Sequence, residues 1–323
     1  MIYNDNIIQE NPYIFFIIGL FMLVLGSDRL IENSKSIASK FNISKTVIGI
    51  TIVAFGTSLP ELIVSIFAAI KNENAIIVGN IVGSNIANIG LVLGILVLFR
   101  TIVIKTNYKR MQFNMIILFI ATSLLIVLLA TNYLNTLSGT FFVVLFILYI
   151  YYLFKYYLTD EEGNSEVDTN IKYYSFIYLI IFIVFSCILV SFGSDFFIKG
   201  TIGISSRLGF NNHLVISMTL VALGTSLPEL ATSLVAIRKG ETRMAIGNII
   251  GSNIINILLV IGISSIISNN FIFKLSNILP HLSILLVITL ALIFIITFYR
   301  RIGRLAGLFF IILYILFVCI NFI

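Results

Sequence analysis

Long apolar segments recur along the whole chain and limit what it can fold into. About twenty such residues span a bilayer as a helix. The composition agrees, because 59% of the residues are hydrophobic and 11% are charged, whereas a soluble domain carries roughly 25% charged residues. No strands of alternating polarity are evident, which argues against a β-barrel. The sequence therefore predicts an all-α polytopic membrane protein whose ten transmembrane helices lie at about 13–34, 46–70, 75–99, 112–131, 137–157, 173–198, 214–237, 244–268, 277–298 and 305–322.

The second half of the chain repeats the first. Residues 51–62 (TIVAFGTSLPEL) and 219–230 (TLVALGTSLPEL) match at ten of twelve positions, at an offset of 168 residues. The same offset carries GNIVGSNIAN (79–88) onto GNIIGSNIIN (247–256). Each half holds five predicted helices, an odd number, so the second half would enter the membrane from the opposite side. Inverted repeats are typical of secondary transporters, which bind substrate between the repeats. We predict two inverted five-helix repeats, residues 1–158 and 172–323, joined by an acidic linker at 159–171.

The basic residues predict an orientation. Sixteen of the twenty fall on one side of the ten predicted helices, and the other side holds Lys71, Lys199, Arg207 and Lys274. Because Lys and Arg concentrate in cytoplasmic loops, we expect the linker in the cytoplasm and both termini outside the cell. The net charge of +6 then reflects the topology of a multi-pass protein of the cell membrane. We expect the lipid bilayer as a partner and do not expect a nucleic acid.

Two glutamates, Glu61 and Glu229, occupy equivalent positions deep in predicted helices. Glu61 lies ten residues from Lys71; at ~1.5 Å per residue this is roughly 15 Å, half of a ~30 Å hydrocarbon core. A charge at this depth costs about 2.5–3.5 kcal/mol on insertion, and such acids are functional candidates by default. No Lys or Arg lies deep enough to neutralise the pair. The counter-charge must therefore be a proton or an external cation.

Each glutamate directly follows a proline, Pro60 or Pro228. Proline has no N–H, so the carbonyl four residues earlier, on Gly56 or Gly224, loses its helical donor. Free carbonyls and hydroxyls at membrane depth are tolerated only where they face protein or a wet cavity. They would add oxygen ligands beside each carboxylate.

The helix that follows each glutamate helix carries a polar face. Residues at i, i+4 and i+8 share one side of a helix, which aligns Asn80, Ser84 and Asn88. The first Asn of each set either lines the site or forms interhelical hydrogen bonds, whereas the Ser and the second Asn are expected to be ligands. Oxygen ligands of these types suit Ca²⁺, and the absence of Cys and His from the cluster argues against zinc and copper. The second half repeats the face with Asn248, Ser252 and Asn256, and Gly79, Gly83, Gly247 and Gly251 are expected to allow close helix approach.

GTSLPE followed by GN-x-x-GSN, present in both halves, resembles the α-repeat signature of the calcium/cation antiporter superfamily, and most closely its prokaryotic sodium/calcium exchangers. The resemblance covers nearly the whole chain. It implies that Glu61 and Glu229 bind Ca²⁺ and Na⁺ in alternation, and that the first and sixth helices slide past a fixed core. It further implies a wider ligand set: the carbonyls of Thr57 and Thr225 for calcium, Asn88 and Asn256 at the centre, and Ser58, Ser226, Ser84, Ser252 and the carbonyls of Ala54 and Ala222 for flanking sodium ions.

One position departs from the pattern of many relatives, which carry an aspartate where this chain has Asn256. The site then holds two ionisable groups rather than three, which argues against potassium coupling and an aspartate-linked proton effect. The function expected is sodium/calcium antiport by a monomer, without cofactor or nucleotide. A proton/calcium antiporter with the same glutamates is the main alternative, followed by a cation channel. An intramembrane protease is disfavoured because GTSLPEL is not a hydrolase arrangement, and no Walker-type motif for ATP-driven pumping occurs.

Overall fold

The computed structural model describes residues 11–103, 108–157, 175–207, 224–268 and 275–320, and these are almost entirely helical. The first half contains α1 (Pro12–Lys40), α2 (Lys45–Thr57), α3 (Leu59–Ile70), α4 (Asn74–Phe99), α5 (Tyr108–Ala130) and α6 (Thr136–Tyr157). The second half contains α7 (Phe176–Arg207), α8 (Leu227–Arg238), α9 (Thr242–Ser268), α10 (Leu275–Phe294) and α11 (Arg304–Ile320).

Two kinds of short segment in the described chain depart from α-helix geometry: π-helical turns and a pair of two-residue strands. Helices α2, α4 and α9 each contain a π-helical turn, at Gly49–Val53, Asn88–Leu93 and Asn256–Ile261 respectively, and a fourth, Ile295–Tyr299, follows α10. Two-residue strands β1 (Ile102–Val103) and β2 (Arg301–Ile302) pair antiparallel, with Ile102 opposite Ile302. The sequence did not predict this pairing, because a two-residue strand is too short to show an alternating pattern.

Seven helices of the described chain are long and apolar enough to cross a membrane by themselves, and the bent pair α2 and α3 would form an eighth span. Helix α11 is apolar but only 17 residues long. Helix α8 covers the second part of a predicted span whose first part, with the linker at 159–171, lies outside the described residues. The chain is thus a nearly all-helical, multi-pass membrane protein, and the count of ten spans remains a prediction.

Helices α1 and α7 form a long, closely packed pair. A Cβ on Gly26 would come 2.9 Å from the Val190 side chain, and a Cβ on Gly203 would come 2.6 Å from Pro12. Because the start of α1 meets the end of α7, the two helices run antiparallel. They carry the repeated Gly-Ser-Asp sequences at 26–28 and 193–195, and an inverted duplication requires such equivalent helices to have opposite directions.

The two halves contact one another through equivalent pairs of helices. A Cβ on Gly94 of α4 would lie 3.1 Å from the carbonyl oxygen of Gly307 on α11, and a Cβ on Gly262 of α9 would lie 3.1 Å from that of Gly139 on α6. Both residues of one contact are related to those of the other by the 168-residue offset. The third predicted helix of each half therefore packs against the fifth helix of the other half, so the halves are interlocked.

Helices α2 and α9 also approach closely, as the glycines of the second motif predict. A Cβ on Gly247 would lie 2.7 Å from the Thr46 carbonyl oxygen, and one on Gly251 would lie 2.5 Å from that of Ile50. For Gly79 and Gly83, the nearest described neighbour of such a Cβ is Phe317, at 3.8 Å from Gly83. The segment that the repeat would place opposite them begins near residue 214, outside the described residues.

Candidate cation-binding site

Each GTSLPEL motif interrupts a helix directly before its glutamate. Ser58 separates α2 from α3, and the two helices are bent by 49° relative to one another. Ser226 precedes α8 with nearly the same backbone angles, φ −91° and ψ 2°, as Ser58 with φ −86° and ψ 7°. Proline favours the first turn of a helix, where its missing N–H costs nothing. The two breaks place Glu61 and Glu229 in the first turn of a new helix, α3 or α8.

The two carboxyl groups lie together in the interior. Both glutamates are completely buried, and their carboxyl groups are close enough to interact electrostatically. Among the described residues the only buried basic side chain is Arg110, whose guanidinium contacts Ser44, ahead of α2. The structure thus brings the two sequence-equivalent acids into one site, without a basic partner from the described chain.

Hydroxyl groups from both motifs surround the carboxylates. The Ser58 hydroxyl donates to Glu229 Oε1 at 3.2 Å, so the first motif contacts the acid of the second. The Thr57 hydroxyl lies 3.4 Å from that of Ser252 on α9. Its equivalent across the repeat is the pair of Ser84 on α4 and Thr225, at 3.2 Å. Each glutamate motif therefore contacts the polar helix of the other half.

The hydrogen bonds of the two half-sites differ, although their sequences are equivalent. Glu229 accepts the bond from Ser58, but neither oxygen of Glu61 has a hydrogen-bond partner within the described chain, and neither does the Ser226 hydroxyl that is equivalent to Ser58. Glu229 Oε2 is also unpartnered there. Buried carboxylate oxygens without donors are costly, so both acids would be stabilised by a cation.

The asparagines of the polar helices repeat this asymmetry. Asn256 donates through Nδ2 to Asn85 Oδ1 at 3.0 Å, and Asn85 donates to the Asn253 carbonyl at 3.2 Å. The equivalent bond, from Asn88 to Asn253 Oδ1, is not formed, and both amide atoms of Asn88 lack partners in the described chain. An amide oxygen with no donor is free to serve as a ligand.

The first asparagine of each polar helix forms interhelical hydrogen bonds. Asn80 Nδ2 donates to the Glu61 carbonyl oxygen at 3.2 Å and to the Ser65 hydroxyl at 3.0 Å. Asn248 Nδ2 donates to the equivalent Ser233 hydroxyl at 3.0 Å, and its Oδ1 accepts from Thr57 at 3.1 Å. The sequence left two roles open, lining the site or forming interhelical hydrogen bonds. The structure shows interhelical hydrogen bonds for both residues.

Two of the carbonyl groups that were expected to bind an ion already accept hydrogen bonds. The Ala54 carbonyl accepts from the Ser58 N–H at 3.0 Å and from the Thr57 hydroxyl at 3.3 Å. The Gly224 carbonyl, which Pro228 deprives of its helical donor, accepts from the Ser194 hydroxyl of α7 at 2.6 Å. Helix α7 therefore contacts the site through Ser194, a residue that the sequence singled out only within the repeated Gly-Ser-Asp.

Of the predicted ligand set, hydrogen bonds link Thr57 with Ser252, Ser84 with Thr225 and Ser58 with Glu229. The side chains of Ser226 and Asn88 have no such bond within the described chain, and Ala222 lies outside the described residues. The sequence reasoning missed Asn85 and Asn253, which join the two polar helices. The signal was present, because both asparagines belong to the repeated GSN, but the choice of the i, i+4, i+8 face left them out.

The comparison with known proteins agrees with this architecture. The family model described as "Sodium/calcium exchanger protein" matches residues 11–155 and 178–323. The sodium/calcium exchanger MaX1 of Methanosarcina acetivorans is 32% identical over 296 residues, covering 79% of this chain and 82% of its own. The uncharacterized membrane protein MJ0091 of Methanocaldococcus jannaschii is 33% identical over 302 residues, covering 94% of this chain and 95% of its own.

Solved structures of the sodium-calcium exchanger NCX_Mj have the same fold. The form soaked with zero Na⁺ and Ca²⁺ superposes with a TM-score of 0.81 and 31% identity, covering 97% of this chain and 99% of that one. The form soaked with 2.5 mM Na⁺ and 0.1 mM Ca²⁺ gives a TM-score of 0.79, with 95% and 97% coverage. These matches, together with the duplicated motif and the paired buried glutamates, show that the chain belongs to the sodium/calcium exchanger protein family, whose members are transporters and not enzymes.

Proposed function

We propose that this protein is a secondary antiporter that exchanges sodium for calcium across the cell membrane. The observation that carries the proposal is the pairing of Glu61 and Glu229, both fully buried and linked by Ser58, which directly precedes the Glu61 helix and donates to Glu229. Two carboxylates carry a formal charge that one Ca²⁺ neutralises. Without a cation, the pair is costly to keep at membrane depth.

The surrounding oxygens suit the same ion. Ca²⁺ accepts six to eight oxygen ligands in a flexible arrangement, from carboxylate, carbonyl and amide groups. We assign the calcium ligands to the two glutamates, the carbonyls of Thr57 and Thr225, and the centre between Asn88 and Asn256. The proposed sodium ligands flank them: the hydroxyls of Ser58, Ser226, Ser84 and Ser252, and the carbonyls of Ala54 and Ala222. The engaged Ala54 carbonyl would release one hydrogen bond to accept an ion.

Sodium and calcium would compete for the same two carboxylates, and this competition would couple their movements. Calcium leaves when sodium ions take over its oxygens, and an empty site is disfavoured because two bare carboxylates would pass apolar walls. The names of MaX1 and of NCX_Mj as sodium/calcium exchangers support sodium as the coupling ion. In this account external calcium also supports one-for-one calcium exchange without sodium.

The packing supports alternating access by movement of α1 and α7 relative to the other helices. These helices form a closely packed antiparallel pair, and each reaches the site region through one hydroxyl: Ser27 lies 3.1 Å from Thr232 on α8, and Ser194 binds the Gly224 carbonyl. Sliding of the pair would exchange these two bonds together with the ion pairs of α1, in which Lys239 binds Asp28 and Glu32 and Lys35 binds Glu241. We place both termini outside and the linker at 159–171 inside, and we propose that a single chain, made of the repeats 1–158 and 172–323, carries out the exchange.

Calcium flux in proteoliposomes tests this function. Vesicles preloaded with calcium should release it when sodium is added outside, and a pH jump in sodium-free buffer should release little. Release driven equally well by the pH jump would assign proton coupling instead. Calcium release that needs no counter-ion and follows the membrane potential alone would indicate a channel.

A further inference from the structure

An apolar groove lies on the surface between α8 and the α1–α7 pair, apart from the ion site. Its volume is about 540 Å³. Leu20 and Val24 of α1 form one wall, Leu230 and Leu234 of α8 form the other, and Phe99 at the end of α4 and Arg238 at the end of α8 also line it.

The groove has the length of one lipid leaflet. It follows α8 from Leu227 to Arg238; eleven residues at ~1.5 Å each give roughly 16 Å, about half of a ~30 Å hydrocarbon core. Its lining is apolar except at Arg238, so an acyl chain fits along its length and a polar headgroup fits at one end.

The basic end of the groove is not neutralised by the protein. Arg238 and Arg100, which directly follows Phe99, are exposed, and neither side chain forms an ion pair or hydrogen bond with the described residues. The nearby acids already have partners: Lys239 binds Asp28 at 2.8 Å and Glu32 at 2.9 Å. Arg238 lines the groove, Arg100 directly follows a lining residue, and neither guanidinium is neutralised by an acid of the described chain.

We infer that this groove binds an anionic phospholipid, with one acyl chain along α8 and the phosphate at Arg238 and Arg100. Guanidinium groups bind phosphate oxygens through two parallel hydrogen bonds. Basic pockets between transmembrane helices recognise anionic headgroups on the cytoplasmic side, the side on which the charge distribution places both arginines. The bound lipid would contact α1 and α8 together, and would thus connect the helix pair to the helix that carries Glu229.

The chain has no tryptophan, so one introduced tryptophan reports its own lipid neighbours. We would prepare Phe99→Trp and measure its quenching in mixed phosphatidylcholine–phosphatidylglycerol vesicles of fixed composition, in which one or the other lipid carries brominated chains. The ratio of the two quenching efficiencies, corrected for the mole fraction of each lipid, measures how strongly the site prefers one lipid over the other. This ratio does not depend on how deep the tryptophan lies in the bilayer. Phe185→Trp, on the exposed surface of α7 and outside the groove, is the matched reporter.

At Phe99→Trp we expect phosphatidylglycerol to be enriched by about fivefold for each arginine that contacts it, and at Phe185→Trp we expect a ratio near one. In the Phe99→Trp background, Arg238→Gln should reduce the enrichment about fivefold, and adding Arg100→Gln should abolish it. Lys71→Gln, which removes an exposed basic side chain at the end of α3, on the opposite predicted side of the membrane, should change nothing. Equal quenching by the two lipids at Phe99→Trp, or enrichment that survives both glutamines, would overturn the inference. The measurement needs no ion gradient, so its result is independent of the transport assay.

Discussion

Glu61 and Glu229 hold equivalent places in the sequence but not in the hydrogen-bond pattern. Ser58 binds Glu229, whereas the equivalent Ser226 and both oxygens of Glu61 have no partner in the described chain. The equivalent residues of the two repeats therefore have different hydrogen-bond partners in the structure.

Replacing either glutamate by glutamine should abolish calcium exchange in a protein that still folds. Glutamine keeps the volume of the side chain but removes the charge that balances the cation. The change Glu73→Gln, at an exposed loop position, is the matched control and should leave flux unchanged. Flux near the wild-type level in purified Glu61→Gln or Glu229→Gln would contradict this assignment.

Two asparagines of α4, Asn80 and Asn88, should separate ion binding from stability. In Asn80→Ala, the Ser65 hydroxyl and the Glu61 carbonyl lose a donor, which we expect to cost about 1 kcal/mol or more of unfolding free energy. Asn88→Ala breaks no hydrogen bond of the described chain, so it should lower calcium exchange with a smaller loss of stability. Thermal unfolding and flux of both variants provide the test. An Asn88→Ala protein that exchanges calcium normally would remove Asn88 from the site.

At the scale of single residues, the sequence predicted that Glu61 and Glu229 lie deep, and both are fully buried; their role as ligands, and that of the hydroxyls, stays a prediction. The amides were harder to predict. Asn85 is one residue from Ser84, and its choice of partner depends on how α4 and α9 face each other. Periodicity orders residues on one helix but does not say which neighbouring helix that face meets.

At the scale of elements, Pro60 and Pro228 predicted a lost helical hydrogen bond, whereas neither the complete breaks before α3 and α8 nor the helix lengths were predicted. Helix α1 runs to Lys40 and α7 to Arg207, beyond the predicted ends at 34 and 198. Hydropathy ends a segment where polar residues begin, but the polar end of α1 is still helical. It is held there by ion pairs such as Lys239 with Asp28, at 2.8 Å.

The close contact of α2 and α9 should not tolerate a methyl group. A Cβ at Gly251 would lie 2.5 Å from the Ile50 carbonyl oxygen and 2.8 Å from Ala54 Cβ. Backbone atoms cannot turn aside, so Gly251→Ala must separate the helices, at a cost of about 1–3 kcal/mol. Gly303→Ala, where no described atom lies within 4 Å of the new Cβ, is the control. A Gly251→Ala protein with an unchanged melting temperature would show that the interface is looser than described.

At the scale of the whole molecule, the repeat was visible in the sequence but its interlocking was not. The offset of 168 residues gives the equivalent positions, and the contacts of Gly94 with Gly307 and of Gly262 with Gly139 show which helices meet. Reciprocal contacts of this kind depend on three-dimensional closure, which no local pattern encodes. They also explain why a site made from both halves can be held in one interior.

The orientation of the molecule in the membrane is a separate prediction, based on the distribution of basic residues. A cysteine introduced by Ser165→Cys should be protected from an impermeant thiol reagent in intact cells and should react after permeabilisation. The native Cys187 and Cys319, exchanged for serine or alanine beforehand, would not contribute to labelling. Labelling of residue 165 from outside would reverse the assignment of the inner and outer sides.

The central claim is that the two halves build one shared calcium site. Equilibrium binding of radioactive calcium to the purified protein measures this most directly. The account predicts saturation at one calcium per chain, with sodium lowering calcium occupancy by competition, since both ions need Glu61 and Glu229. Saturation at two calcium ions per chain, one for each repeat, or calcium occupancy that sodium leaves unchanged, would contradict it.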